Sequence, residues 1–207
     1  MRFIFSILLL SCSITTSAQV FKAGLISGIS GSQIEGDGYG GYDKIGFIAG
    51  GYVNVDLSEK FTSQLEMYFI NKGSFDALQP DKGDYDSYKV NLNYIEIPLI
   101  LQYNQQKFTF EAGLFLGKLI GTPRIFDENG ERFVYQFPFK PFDFGGLLGI
   151  SYHLNERFIL NLRSKNSLIP IRDFPNLDQG GIFNNLFQNG WYNVDLNFTV
   201  RYEFGEK

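Results

Sequence analysis

The stretch NLNYIEIPLILQY, residues 91–103, decides the fold of this chain. It is largely apolar, yet it holds a glutamate at position 96 and a proline at position 98. Because side chains alternate between the two faces of a β-strand, the stretch separates into two sets. The odd positions from Ile95 to Tyr103 are apolar, whereas the even positions are mixed and include the charge. The pattern predicts a strand with one apolar face and one polar face.

The composition favours an all-β protein. The chain has 207 residues, of which 17% are aromatic and 19% are charged, and it contains 23 glycines. Aromatic residues are enriched in strands, and helical domains rarely have so few long helix formers. The length fits one domain or one barrel. The net charge of -4 gives no basic surface, which argues against nucleic acid as a partner.

The N-terminal segment is typical of a secretory signal peptide. Arg2 precedes an apolar stretch at residues 3–10, and small residues precede Gln19. This predicts a signal peptide over residues 1–18, cleaved after Ala18, and a barrel domain over residues 19–207. An alternative is cleavage before Cys12, because LLSC loosely matches a lipoprotein site. Cleavage after Ala18 would remove the only cysteine, so the exported chain would have no disulfide.

Eight segments with a period of two follow, each close to the length that a tilted transmembrane strand requires. The predicted strands span residues 20–30, 44–57, 61–73, 90–103, 107–120, 142–154, 157–168 and 191–204. Short turns alternate with long loops rich in Gly, Asp, Asn and Pro, which is typical of outer-membrane barrels. The sequence therefore predicts an all-β fold: an eight-stranded antiparallel up-and-down transmembrane β-barrel in an outer membrane. Its termini and short turns would be periplasmic.

The two faces of these strands predict what each side of the barrel contacts. One face is uncharged apart from Lys118 at a loop end, and it forms an aromatic girdle at the short-turn rim, as lipid contact requires. The girdle residues are Phe21, Phe61, Tyr103, Phe108, Tyr152, Phe158, Tyr202 and Phe204. The other face carries charges that we expect to pair inside the barrel. The predicted lumen network is Lys22, Glu66, Glu96, Glu111, Arg163, Lys165, Asp195, Arg201 and Glu203.

The opening stretch also identifies a resemblance. Residues 94–99, YIEIPL, match a strand motif of the PorT-type family of small porin-like outer-membrane β-barrel proteins, which this chain resembles. The hairpin at residues 146–163 and the alternating final strand are similar too. The resemblance implies a barrel over essentially the whole exported chain, and its name-giving member is linked to assembly of a protein-secretion system. Such barrels often end in an aromatic residue read by the barrel-assembly machinery; here three residues follow Phe204.

Candidate chemistry is sparse in this sequence. The single histidine, His153, lies near a short turn. Outer-membrane barrel lipases and acyltransferases, which use a histidine, have their sites at the opposite end, so a polar turn residue is the favoured interpretation. The loop EGDGYGGYD at residues 35–43 lacks the context and spacing of a phosphate or calcium site. Asn129-Gly130 predicts a hairpin tip in the third long loop. No cofactor or metal is predicted.

The sequence leaves several functions possible, and it does not decide the structural effect of Pro98. We expect a non-enzymatic barrel with a structural or interaction role, in contact with outer-membrane lipid and with an envelope or surface protein at its long loops. The alternatives are a narrow transport channel, a lipid-modifying enzyme, and a soluble lipocalin-like barrel with the uncharged face inside. Pro98 predicts either a local bulge or a missing hydrogen bond, because a closed barrel has no edge strand for it.

Overall fold

The computed structural model describes residues 21–77, 87–126, 138–173 and 190–204. The predicted signal peptide over residues 1–18, Cys12 and the predicted hairpin tip at Asn129-Gly130 lie outside these ranges. Within them, no helix is both long enough and apolar enough to cross a bilayer.

The described residues form nine β-strands. Eight of these are long, and each pairs antiparallel with its neighbours. The strands are β1 (Phe21–Glu35), β2 (Lys44–Asp56), β3 (Phe61–Asp76), β4 (Tyr88–Gln105), β5 (Phe108–Phe126), β6 (Phe142–His153), β7 (Phe158–Ser167), β8 (Arg172–Asp173) and β9 (Gly190–Phe204). The two-residue β8 pairs only with the start of β9.

The sheet closes on itself through its first and last long strands. β1 pairs with β9 from Ala23 opposite Phe204 to Glu35 opposite Tyr192, while β7 pairs with the other edge of β9. Closure removes the unpaired edges that a membrane does not tolerate. The predicted eight-stranded antiparallel up-and-down barrel is confirmed.

Several strands extend further at the long-loop end than the sequence pattern predicts. β1 reaches Glu35 instead of residue 30, and β5 reaches Phe126 instead of residue 120. The added segments bury apolar residues inside the barrel, among them Ile34 and Ile125. Because burial of this kind is favourable in water, the barrel wall continues beyond the length that a bilayer requires.

The short turns connect the strands at the opposite rim. The Oγ atom of Ser58 accepts a hydrogen bond from the Phe61 amide, and Oδ1 of Asn155 accepts bonds from the amides of Arg157 and Phe158. Gln106 has a φ of 56°, which closes the tight connection between β4 and β5. Short turns face the periplasm in outer-membrane barrels; by that rule the short-turn rim is here named the periplasmic end and the opposite rim the extracellular end.

Pro98 interrupts hydrogen bonding on one side of β4 without shifting its register. Pairing with β3 runs from Leu65 opposite Leu99 to Tyr68 opposite Glu96, with the bridges between them absent. Pairing with β5 continues through Pro98 opposite Phe115. Proline lacks an amide donor, which explains the gap. Of the two predicted alternatives, the missing ladder bond is therefore correct; the register shift of β4 lies further along, between Asn91 and Asn93.

A glycine in β6 admits a large ring to the lumen. A Cβ atom on Gly145 would lie 2.3 Å from Cζ of Phe115, closer than any carbon contact allows. The ring of Phe115 is buried in the lumen at 1% exposure. Glycine is therefore required here so that the aromatic ring can fill the centre of the barrel.

Candidate functional site: the lumen and the outer wall

The outer wall carries the uncharged set of residues. Phe47 and Leu99 are typical, with exposed fractions of 58% and 59%. Contiguous apolar surface of this extent is rare on soluble monomers and is what contact with lipid requires. Glu96 and Arg163 are buried in the interior. The soluble lipocalin-like alternative placed both residues in water, and it is wrong.

Aromatic pairs stand on the outer wall at the short-turn rim. The ring centroids are 5.4 Å apart in Phe61–Tyr103, 5.1 Å in Phe108–Tyr152, 5.2 Å in Phe158–Tyr202 and 5.6 Å in Tyr202–Phe204. Phe21 lies on the same rim and is exposed. The eight residues predicted as a girdle therefore share one level of the barrel.

Two lysines and three carboxylates form a cluster at the centre of the lumen, here named the lysine cluster. The Nζ atom of Lys72 lies 2.5 Å from Glu96, 3.3 Å from Asp143 and 3.2 Å from Asp195. Lys165 contacts Glu96 as well, and its Nζ lies 3.4 Å from Asp195. All five side chains are fully buried. Each ammonium therefore bridges carboxylates from different strands across the barrel.

The lysine cluster holds one more negative charge than positive, and neutral donors surround the excess. Asp143 accepts hydrogen bonds from Oγ of Ser167 at 2.6 Å and from Nδ2 of Asn193 at 2.8 Å. Asp195 accepts a bond from Nδ2 of Asn197 at 2.9 Å. Donors of this kind stabilise a buried carboxylate.

A second cluster, the arginine cluster, lies toward the periplasmic end. Arg163 bonds Glu66 at 2.8 Å and Glu111 at 2.7 Å, and Arg201 bonds Glu111 at 2.8 Å. These side chains are at most 5% exposed. Two guanidinium groups balance two carboxylates, so this cluster is neutral. Asn161, Ser151 and Gln102 donate further hydrogen bonds to Glu111.

The structure distributes the predicted lumen charges over two environments. Seven of them belong to the two buried clusters: Glu66, Glu96, Glu111, Arg163, Lys165, Asp195 and Arg201. The other two lie at the periplasmic rim. Lys22 forms a half-exposed pair with Asp56 at 3.3 Å, and Glu203 accepts hydrogen bonds from Tyr52 and Asn54.

Two central residues were missed from the sequence. Lys72 and Asp143 both lie on the inward parity of strands that were predicted, β3 and β6. Lys72 has the same parity as Glu66, which was identified. Alternation alone would therefore have added both residues to the predicted network.

An apolar cluster fills the lumen beyond the charges, toward the extracellular end, and is here named the extracellular core. Its members come from five strands and the segment before β8, and all are buried. They are Ile34, Ile70, Tyr88, Val90, Leu92, Ile125, Ile171 and Trp191. Tyr39 of the β1–β2 loop stacks on Tyr88 with centroids 4.3 Å apart, so that loop covers part of the cluster.

A polar cavity of about 240 Å³ opens at the periplasmic end. His153 lies in its wall, with Nε2 3.0 Å from Oγ1 of Thr109. Arg201 also lines the cavity, so the arginine cluster forms its floor. The cavity is a blind vestibule, because both buried clusters and the extracellular core lie above it.

The sequence matches the model of a known family. Residues 15–173 match the family model described as "Outer membrane protein beta-barrel domain". The chain belongs to this family of outer-membrane β-barrels. It is accordingly an outer-membrane protein, as predicted.

A solved structure shares this fold at low sequence identity. Neisserial surface protein A is 12% identical, with a TM-score of 0.56, and the match covers 88% of this chain and 97% of that one. Ail, the attachment invasion locus protein of Yersinia pestis, was solved with a heparin analogue, sucrose octasulfate. It is 10% identical with a TM-score of 0.49, covering 89% of this chain and 99% of that one. No curated protein sequence gives a significant match.

Proposed function

We propose that this protein is a closed, non-conducting outer-membrane barrel that presents a rigid extracellular surface to an envelope or surface protein. The filled lumen carries this proposal. Buried ion pairs occupy its centre, and apolar side chains occupy its extracellular part. An interior that is filled in this way provides no water path for solutes.

The described residues at the extracellular end support an interaction role because they are packed together. The amide of Gly41 bonds Oε1 of Gln33 at 2.8 Å, which ties the β1–β2 loop to β1. Burial raises the pKa of Asp37 in this loop above its ordinary value. The Arg172 guanidinium lies 4.3 Å from the Trp191 ring centroid. A pre-organised surface of this kind loses little entropy when it binds a partner.

Conductance is the test that separates this proposal from a channel. Purified barrel in a planar bilayer should produce no discrete conductance steps. A porin measured in the same bilayers shows that insertion and detection work. Reproducible single-channel steps from the purified protein would overturn the proposal and favour the transport alternative.

Site-specific crosslinking tests the interaction role. A photo-reactive residue at Gly38 or Tyr42, in the extracellular β1–β2 loop, should give a discrete adduct with one envelope protein in intact cells. The same residue at Glu59 or Glu156, in the periplasmic turns, is the matched control. Equal adducts from both ends, or none from the extracellular end, would contradict the proposal.

The proposal includes the absence of catalysis. His153 bonds Thr109 at the periplasmic rim, and its wall position supports a structural role. Replacing His153 with Gln should leave the membrane lipid profile unchanged. A lipid modification that disappears in this variant would favour the lipid-enzyme alternative.

Two finer assignments are part of the same proposal. We infer that the chain lies in the PorT-type branch, on the basis of Glu96 and Pro98 in the YIEIPL strand. A sequence model built from that branch alone should match it.

We also infer that the barrel-assembly machinery engages β9 through Phe204. Phe204→Ala should lower the fraction of heat-modifiable, folded barrel in cells, whereas Phe198→Ala, on the same face of β9, should not.

A further inference from the structure

Three cations lie on the outer wall near its extracellular end. Lys89 of β4 and both Lys118 and Arg124 of β5 occupy the membrane-facing parity and are exposed. None of the three forms an ion pair with a described residue. Among the outward positions described in β3 to β6 there is no carboxylate. Among the described residues, this part of the wall therefore carries positive charge with no carboxylate on the same face.

The register locates these cations at the edge of the apolar band. One row of outward residues across the sheet consists of Phe69, Ile95, Lys118 and Phe142. The rows below it, toward the short turns, are apolar. Two rows further out, Asn91 lies opposite Arg124. Lys118 thus lies at the boundary between the acyl chains and the headgroups of the lipid.

The cations extend outward from that edge as a continuous strip. Lys118 pairs with Ile95, Arg124 with Asn91, and Lys89 lies two residues beyond Asn91 on the same face. At ~3.3 Å per residue, the four residues from Ile95 to Asn91 separate Lys118 from Arg124 by about 13 Å along the strand. A ligand that contacts the whole strip must carry anionic groups at more than one point.

Aromatic rings lie beside two of the three cations, Lys118 and Lys89. The Nζ atom of Lys118 lies 4.8 Å from the Phe142 ring centroid, and that of Lys89 lies 5.7 Å from the Phe75 centroid. Amides fill the surface between them: Nδ2 of Asn71 bonds Oδ1 of Asn93 at 2.7 Å. Aromatic contact of this type limits the positions of an ammonium group without neutralising it.

We propose that this strip binds the phosphate groups of a phosphorylated glycolipid in the outer leaflet. The acyl chains of such a lipid lie against the apolar rows that end at Ile95 and Leu116, while its phosphates reach Lys118 and Arg124. Charge complementarity carries the assignment, because the strip has three cations and no described carboxylate. Cations near an anionic membrane surface contribute a substantial attraction each, and bidentate contact adds to it for arginine.

Lipid titration of the purified full-length barrel tests the proposal. Native mass spectrometry would give the dissociation constant for bis-phosphorylated lipid A. The triple variant Lys89→Gln, Lys118→Gln, Arg124→Gln should bind on the order of a hundredfold more weakly, and Lys118→Gln alone about fivefold more weakly. Dephosphorylated lipid A should bind equally to the triple variant and the unaltered barrel.

A matched triple variant controls for net charge. Lys60→Gln, Lys107→Gln, Arg157→Gln removes two lysines and one arginine that are exposed at the periplasmic turns, and it should bind lipid A as the unaltered barrel does. Equal weakening in both triple variants, or tight binding of dephosphorylated lipid A that is lost in the strip variant, would overturn the proposal. The heat-dependent gel shift verifies folding, and Lys118→Gln provides the same test if the triple variant does not fold.

Discussion

The lumen has two parts, and each contrasts with what surrounds the barrel at that level. Charged side chains are buried where lipid lies outside, and apolar side chains are buried where water lies outside. Where lipid surrounds the barrel, the interior holds the buried lysine and arginine clusters, with rings such as Tyr68 and Tyr94 packed beside them. Where the wall extends beyond the bilayer into water, the interior is the apolar extracellular core. Both parts use the same inward parity of the same strands.

The difference follows from the solvent outside each part. Burying apolar side chains is favourable only relative to water, so the extracellular core stabilises the section that water surrounds. In the membrane, lipid already solvates apolar side chains, and an apolar interior would gain little. Paired charges can instead define which strands face one another across the barrel. Substitutions in the two parts should therefore lower the free energy of unfolding by different amounts, and the following variants measure that difference.

The largest effect is expected from Glu96→Leu. Glu96 contacts both Lys72 and Lys165, so its removal takes a direct ion pair from each buried ammonium group and leaves Lys165 with Asp195 alone, at 3.4 Å. We expect the free energy of unfolding to fall by about 3–5 kcal/mol. Urea titration of the folded barrel in detergent measures it, with Glu59→Leu at an exposed turn as control. An unchanged midpoint for Glu96→Leu would contradict the paired lumen.

Leu92→Ala should have a smaller and more local effect. Leu92 is fully buried in the extracellular core, and its truncation leaves a cavity that costs about 2–3 kcal/mol. Hydrogen exchange should quicken at the start of β4 and the end of β5 and stay slow at the arginine cluster, because Leu92 lies directly opposite Lys72 of the lysine cluster. Leu57→Ala, at an exposed turn, serves as control. Uniform acceleration along β4 would show that the two parts unfold as one unit.

Ser167→Ala tests the neutral donors around the excess carboxylate. The hydroxyl of Ser167 donates a hydrogen bond to Asp143 at 2.6 Å and accepts one from the backbone N–H of Asn193 at 3.1 Å. Loss of a bond to a buried charge should lower the free energy of unfolding by about 1.5–2 kcal/mol. Ser164→Ala changes the same residue type on the outward face of β7. If both variants unfold at the same urea concentration, the donors contribute nothing to the lysine cluster.

Lys22→Gln should have the smallest effect of the series. The Lys22–Asp56 pair is about half exposed, and pairs in water contribute less than about 1 kcal/mol. The remaining contribution should vanish in high salt because exposed charges are screened. Lys165→Gln, from the lysine cluster, is the comparison variant. If Lys22→Gln lowered the free energy of unfolding as much as Lys165→Gln does, the distinction between lumen and rim would be wrong.

The sequence predicts the strands and their faces because alternation is a local property. The odd and even positions around Glu96 were assigned correctly without any knowledge of neighbouring strands. Alternation shows whether a side chain faces the lumen or the lipid, but not its position along the barrel axis. The pairing of Lys72 with Asp143 therefore required the register of the strands. The strand extensions were missed at Ile34 and Ile125 because Gly, Asn and Pro nearby resemble loop sequence. Pro98 was left between two alternatives that only the pairing pattern distinguishes.

The seam between β1 and β9 also governs how the protein is made. Ala23 pairs with Phe204, so the first strand to be exported finds its partner only when the last strand arrives. Contacts between such distant positions form slowly. Until then both edges of the sheet present unpaired backbone, which favours aggregation. We expect a nascent chain of this topology to need protection from aggregation until its C-terminal strand is available to close the sheet.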